Sequence, residues 1–226
     1  MAVPYRDRTE GGRALAAKLA RYADRAAVQV LALPRGGVPV ALEVAKALRA
    51  PLDVFVVRKL GVPGHEELAM GAIASGGVRV LNREVVDRLR ISPKLIEAAT
   101  ARERIELSRR ERLYRDGRPA AEIHNRIVIL VDDGLATGST MRAAVAALRK
   151  LQPAKVIVAV PTAAPGTCED FETEVDEIIC AETPEPFHSV GTWYEDFAQI
   201  TDDEVREMLE TLQPPQSRLL RHPRAC

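Results

Sequence analysis

Residues 127–140, IVILVDDGLATGST, constrain the fold of this chain more than any other stretch. Five aliphatic side chains in a row, Ile127–Val131, suit a parallel strand covered on both faces, because a half-exposed strand would alternate apolar and polar residues. Asp132 and Asp133 then fall at the strand's carboxyl end, where open α/β sheets place their ligands. From Ser139 a helical pattern runs through Met141, Val145 and Leu148, so loop 134–140 leads into a helix start whose N–H groups are free to bind phosphate. Gly138 permits close backbone approach, Thr137, Ser139 and Thr140 add hydroxyl donors, and two adjacent carboxylates can accept from two vicinal sugar hydroxyls. Together they outline a cradle for a ribose 5-phosphate.

Other readings fit less well. A Walker loop needs Gly-Lys-Ser/Thr, and here Gly138 is followed directly by Ser139. A dinucleotide fingerprint needs G-x-G-x-x-G, and Gly36-Gly37 has the wrong spacing. An ordinary strand-to-helix turn explains a capping hydroxyl but leaves two adjacent, mutually repelling acids without a reason.

The rest of the chain reads as α/β, with a parallel central sheet and flanking helices. Residues 13–22 form an outer helix; residues 27–33, the helix Gly37–Leu48 and residues 52–57 make a β-α-β unit, whose crossover is right-handed. Residues 69–74 and 78–81 flank a turn at Ser75-Gly76-Gly77. Helical patterns follow at 83–89 and, capped by Ser92-Pro93, at 94–114; strands at 155–160 and 177–180 complete the core. Residues 184–191 are irregular, Thr201 caps a closing helix over 202–212, and the Pro- and Arg-rich tail 214–226 frays. The reading is one domain over 1–213, with a lid and a charged helix inserted at about 58–124. The arginines and glutamates of that helix read as a solvated face laced with i,i+4 pairs, except in the last turn 114–119, whose basic residues enter a loop heading toward the sheet.

Three further segments offer chemistry. Leu33-Pro34-Arg35-Gly36-Gly37 joins the first core strand to its helix, and its free N–H groups and guanidinium could take a diphosphate. Arg58-Lys59 opens a Gly- and Pro-containing stretch through Glu67 that suits a mobile lid, with His65 or Glu66 as candidate proton-transfer groups. Residues 187–197 gather Phe187, Trp193, Tyr194 and Phe197 in a chain only 4% aromatic. Trp193 and Tyr194 are candidates to stack on a planar base, Asp196 could accept from its N–H, and Phe197 reads as core packing.

The 127–140 segment resembles the phosphoribosyl pyrophosphate signature of type I phosphoribosyltransferases. The nearest pattern is the Asp-Asp-x-Leu-Ala-Thr-Gly-x-Thr form of the adenine enzymes. Gly134 stands where the family prefers an apolar residue, and Ala136 stands where the hypoxanthine-guanine branch carries a catalytic aspartate. The order of basic loop, lid, aspartate motif and aromatic hood extends the likeness over residues 31–197, while the long charged helix is similar to a bacterial group whose acceptor is unassigned. The resemblance implies transfer of a 5-phosphoribosyl group from phosphoribosyl pyrophosphate to a nitrogenous base. Asp132 and Asp133 would hold the ribose hydroxyls, and Arg35 and Lys59 would take up leaving charge. Gly36, Gly37, Arg58, Gly134, Leu135, Ala136, Thr137, Gly138, Ser139, Thr140, Trp193 and Tyr194 would bind substrate. Mg²⁺ would be held mainly by substrate, the Pro34–Arg35 bond would be cis, and the protein would be a homodimer. A regulatory protein that binds phosphoribosyl pyrophosphate without turning it over is the alternative; a phosphoribosyl-binding hydrolase or phosphorylase is a third.

Composition narrows the partners. With 32 basic and 32 acidic residues there is no global field to attract nucleic acid. No apolar run approaches the ~20 residues of a membrane span, and the N-terminus lacks the apolar stretch of a leader. Cys168, Cys180 and Cys226 are widely spaced with no C-x-x-C pair, which suggests a reducing compartment without zinc; the expectation is a cytoplasmic protein.

Overall fold

The computed structural model describes residues 4–212, so the tail 214–226 lies outside the described residues. In chain order its strands are β1 (Val28–Ala32), β2 (Leu52–Val54), β3 (Val57–Val62), β4 (His65–Ala74), β5 (Val78–Leu81), β6 (Ile127–Val131), β7 (Lys155–Thr162) and β8 (Glu177–Glu182). Its helices are α1 (Arg8–Lys18), α2 (Gly37–Leu48), α3 (Arg83–Arg88), α4 (Pro93–Arg115), α5 (Ser139–Lys150), α6 (Pro165–Phe171) and α7 (Asp202–Thr211). Five strands form a parallel sheet in the order β2-β1-β6-β7-β8, and β3-β4-β5 form a separate antiparallel sheet.

β6 sits at the centre of the parallel sheet, with Ile129 opposite Val30 on one side and Ile157 on the other. Alternate side chains serve two cores. Ile129 and Val131 pack with Val40 and Val44 of α2 and Leu15 of α1; Val128 and Leu130 pack with Met141, Val145 and Leu148 of α5. Helices on both faces are why the strand's sequence does not alternate. Each such burial contributes roughly 1.5–3 kcal/mol.

α1 begins at Arg8, earlier than the apolar pattern suggests, because the Asp7 carboxylate accepts from the Glu10 N–H and caps it. Gly11 and Gly12, poor helix formers, lie within it for close packing. A Cβ on Gly12 would sit 2.9 Å from the Val40 carbonyl of α2, and one on Gly11 would sit 3.1 Å from Pro161.

Residues 52–57 do not form the single strand expected from their apolar run. The chain leaves the parallel sheet after Phe55, whose N–H still donates to Ala32, and the Val56 N–H donates to Ser75 Oγ in the turn between β4 and β5. Residues 57–74, read as a lid and a strand, form the β3–β4 hairpin with register shifts at Leu60/Gly61 and Gly61/Val62. Ladder hydrogen bonds there satisfy backbone groups that an open loop would leave to water.

α4 carries the expected Ser92 cap and Pro93 at its first position. Its last turn meets the sheet, as its basic residues suggest. Arg115 is buried and donates to both oxygens of buried Asp53 on β2, at 3.2 and 3.1 Å, and to the Val54 carbonyl. That pair anchors the C-terminal end of α4 to the edge of the parallel sheet.

Candidate active site

Asp132 and Asp133 end β6, as its sequence predicts, but they are more enclosed than a polar strand end suggests. Asp133 Oδ2 accepts from Arg8 Nε at 2.8 Å, and Asp132 Oδ1 accepts from the Asp133 N–H at 2.9 Å. Burial pushes the Asp132 carboxyl well above the usual aspartate range, and the charge of Asp133 pushes the same way. Burial also raises Asp133, against the pull of Arg8.

The loop after β1 packs directly on these acids. Gly36 and Gly37 have no room for a side chain: a Cβ on Gly36 would overlap Asp133 Oδ2, and one on Gly37 would lie 2.7 Å from the Val131 carbonyl. Gly36 has φ −59°, so close approach and not backbone freedom demands glycine here. The Pro34–Arg35 peptide is cis. The Arg35 guanidinium stands 3.7 Å from Asp202 Oδ1 at the start of α7, an acid that also accepts from Tyr114 Oη at 2.6 Å and faces Arg109 at 3.5 Å. The Tyr114 hydrogen bond is the largest influence holding Asp202 below the usual carboxylate range.

Loop 134–140 is tied down through its backbone. The Leu135 N–H donates to Thr162, the Ala164 N–H to the Leu135 carbonyl, Thr167 Oγ1 to the Ala136 carbonyl at 2.6 Å and Arg142 to the Thr137 carbonyl at 2.7 Å. Gly138 has φ +69°, and a Cβ there would lie 2.6 Å from the Phe171 ring. The anchors on the loop side are backbone groups and leave Thr137, Ser139 and Thr140 on the exposed side. Together with Asp132, Met141 and Val190 the loop lines a pocket of about 180 Å³. Such a ring of small residues, hydroxyls and helix-start N–H groups suits an oxyanion.

The Arg58-Lys59 pair divides. Arg58 donates to Glu103 of α4 at 3.0 and 2.7 Å, while exposed Lys59 reaches across to Ser139 Oγ at 3.1 Å. His65 is exposed at the start of β4, and the Glu66 side chain lies outside the described residues.

The aromatic segment folds over the acids as a hood. Tyr194 is buried and donates to the Asp133 carbonyl at 2.6 Å; its ring stacks on Phe197 at 5.3 Å, so it buttresses the acid pair. Burial raises the Tyr194 phenol well above its ordinary range, which keeps it a donor. Trp193 is half-buried, stacks on Phe187 at 6.4 Å, and its buried Nε1 has no partner among the described residues. Asp196 accepts from the Ala198 N–H at 2.9 Å and so shapes its own turn. Val190 fills the space beside Gly134, where a Cβ would lie 2.5 Å from its Cγ1, which accounts for glycine at that position.

Sequence reasoning missed the N-terminal strap. Tyr5 and Arg6 pair with the hood: Tyr5 N–H donates to Trp193, Glu195 N–H to Tyr5 and Asp196 N–H to Arg6. Arg8 follows directly, and its only sequence signal is a cation in the first turn of a helix, where the dipole disfavours it. The spacing of Cys168 and Cys180 also gives no sign that they are joined by a disulfide, formed because α6 packs on β8. Among the described residues no group of three or more His, Cys, Asp or Glu side chains is assembled around a metal position, and no helix is long and apolar enough to cross a membrane.

The family described as phosphoribosyl transferase domain matches residues 6–192. Two Mycobacterium tuberculosis proteins, from strains H37Rv and CDC 1551, are provisionally named phosphoribosyl transferases and are each 48% identical over 204 residues, 90% of this chain. The chain spans about half of their length, 46%. The crystal structure of TT1426 from Thermus thermophilus is 40% identical, covers 94% of this chain and 100% of its own, and superposes with a TM-score of 0.82.

Proposed function

Because the chain belongs to the phosphoribosyl transferase domain family, we propose that it moves a 5-phosphoribosyl group from phosphoribosyl pyrophosphate to a nitrogenous base, with release of pyrophosphate. The observation that carries this reading is the convergence of the acid pair, the Gly36-Gly37 loop and loop 134–140 at the carboxyl ends of β1 and β6. In that arrangement Thr137, Ser139, Thr140 and the first N–H groups of α5 take the 5-phosphate, and the acids accept from the ribose hydroxyls. Their negative field favours positive charge developing at the anomeric carbon. Arg35 and Lys59 face the leaving diphosphate, Arg35 by exchanging Asp202 for a phosphate oxygen. Trp193 covers the acceptor base.

Magnesium fits this site as a companion of the diphosphate. The site offers two adjacent carboxylates, one already paired with Arg8, and among the described residues no cluster of three or more candidate ligands, which suits an ion that keeps its waters and binds substrate oxygens. When bound it supplies charge neutralisation for the leaving group. The reading also carries a homodimer and a cytoplasmic setting.

Ala136 and the placement of His65 on an exposed hairpin favour a second reading, a sensor that binds phosphoribosyl pyrophosphate without turnover. Exchange of labelled pyrophosphate into phosphoribosyl pyrophosphate across a panel of bases separates the two, since only a transferase supports base-dependent exchange. Calorimetry tests what they share. Binding of phosphoribosyl pyrophosphate with Mg²⁺ weakens in Thr137→Val and Thr140→Val by about 1.5–3 kcal/mol for each lost hydrogen bond to a charged group. Unchanged affinity in both variants would contradict the phosphate loop.

A further inference from the structure

We propose that Arg8 is a positioning residue of the ribose site, holding Asp133 in its working orientation and joining it mechanically to the hood. The inference rests on the transferase reading above and adds a residue that lies 125 positions before the motif it serves.

Nothing local to α1 calls for this arginine. It stands in the first turn of a helix, where a cation opposes the dipole, and Asp7 already caps that end. Its guanidinium is instead used from all sides. Nε donates to Asp133 Oδ2 at 2.8 Å, Nη1 donates to the Ala198 carbonyl at 2.9 Å, and Cζ lies 3.8 Å from the centre of the Phe197 ring. The side chain is only 9% exposed, and a buried ion pair that loses one partner leaves the other charge uncompensated.

The consequence for Asp133 is geometric. Its Oδ2 is held between Arg8 and the backbone of Gly36, its carbonyl accepts from Tyr194, and apart from its own N–H no donor other than Arg8 among the described residues meets its carboxylate. One oxygen is fixed by the protein and the other is left for a ribose hydroxyl. Two adjacent enclosed carboxyls also resist being charged together, and Arg8 is the cation that opposes this, while Arg35 is turned toward Asp202. Phe197 and Ala198 belong to the hood and Asp133 to the ribose site, so one guanidinium ties the two together.

Binding of phosphoribosyl pyrophosphate with Mg²⁺, measured by calorimetry on wild type, Arg8→Met, Arg8→Lys, Phe197→Ala and the Arg8→Met/Phe197→Ala double variant, tests this. Arg8→Met is expected to lose at least about tenfold in affinity per folded molecule, in line with a charged hydrogen bond. Arg8→Lys recovers part of that loss, because an ammonium can still reach Asp133 but cannot also hold Ala198. Phe197→Ala loses less, and the double variant is no worse than Arg8→Met, because both act through one guanidinium. A purely structural arginine would lower melting temperature in both Arg8 variants and leave affinity per folded molecule unchanged, and that result overturns the assignment. If Arg8→Met does not fold, unchanged affinity in both Arg8→Lys and Phe197→Ala overturns it equally. Failure of the wild type to bind overturns the transferase reading and this assignment with it, whereas binding that ignores Arg8 overturns this assignment alone.

Discussion

Gly36 and Asp133 compete for the same space: a Cβ on Gly36 would overlap the carboxylate oxygen that Arg8 holds. The loop after β1 and the acids after β6 therefore form one packed unit, and a single added methyl group would drive them apart. Gly36→Ala is expected to push Asp133 off Arg8 and reduce affinity for phosphoribosyl pyrophosphate by about 1.5–3 kcal/mol, the value of one charged hydrogen bond. Gly166→Ala is the control, because a Cβ there meets nothing within 4 Å. Equal affinities for the two variants would show that the loop and the acids are independent.

Asp132 sets function against stability. Burial and the neighbouring Asp133 raise its pKa in the folded state, so the fold binds this proton more tightly than the unfolded chain does. The sign follows from linkage: stability is fully present below the unfolded value near ~4 and falls as pH rises through the raised folded value. Asn cannot ionise and escapes that loss. Asp132→Asn should thus melt higher than wild type at pH 8, with the difference shrinking to nothing as pH approaches 4, while turnover is lost. Melting curves across that range check it, and a variant less stable than wild type at pH 8 would mean that Asp132 is a structural acceptor.

The parallel sheet and the shape of loop 134–140 were legible in the sequence because each is encoded locally. Ile127–Val131 is a strand by its own composition, and loop 134–140 carries its glycine and hydroxyls in consecutive positions. The hairpin β3–β4 was not legible, because Gly61, Pro63 and Gly64 mark a loop by composition while Leu60, Val62 and Met70 are buried only through distant partners. The site's outer parts were illegible for the same reason. Arg8 and Val190 act on Asp133 and Gly134 across long stretches of chain, and Tyr194, which composition marks as a stacking ring, is taken by the Asp133 carbonyl instead.

The disulfide makes a separate prediction. Cys168 and Cys180 close a loop of 12-residue separation, and loops near this size are worth about 3 kcal/mol of chain entropy at most. Reduction, or Cys168→Ser, should lower the melting temperature. It should also weaken phosphate binding slightly, since Thr167 beside Cys168 holds the Ala136 carbonyl of the phosphate loop. Peptide mapping of unreduced protein should find the 168–180 cross-link; free thiols at both positions, with melting insensitive to reductant, would refute it.

The acceptor end of the site comes down to Trp193. It is the chain's one tryptophan, so its fluorescence reports a single place, and its buried Nε1 lacks a partner among the described residues. A buried donor left unmet costs roughly 1–3 kcal/mol, and a ligand atom accepting from it would recover that. The emission should change when a base or mononucleotide binds and respond far less to ribose 5-phosphate. Trp193→Ala should raise the acceptor KM by an amount corresponding to about 1–3 kcal/mol of stacking and leave the pyrophosphate donor little affected. Trp193→Phe keeps a ring and removes the N–H, so a loss between those of wild type and Trp193→Ala assigns both stacking and hydrogen bonding to the indole. Equal losses for donor and acceptor in Trp193→Ala would mean that the indole holds the hood against Phe187 and touches no base.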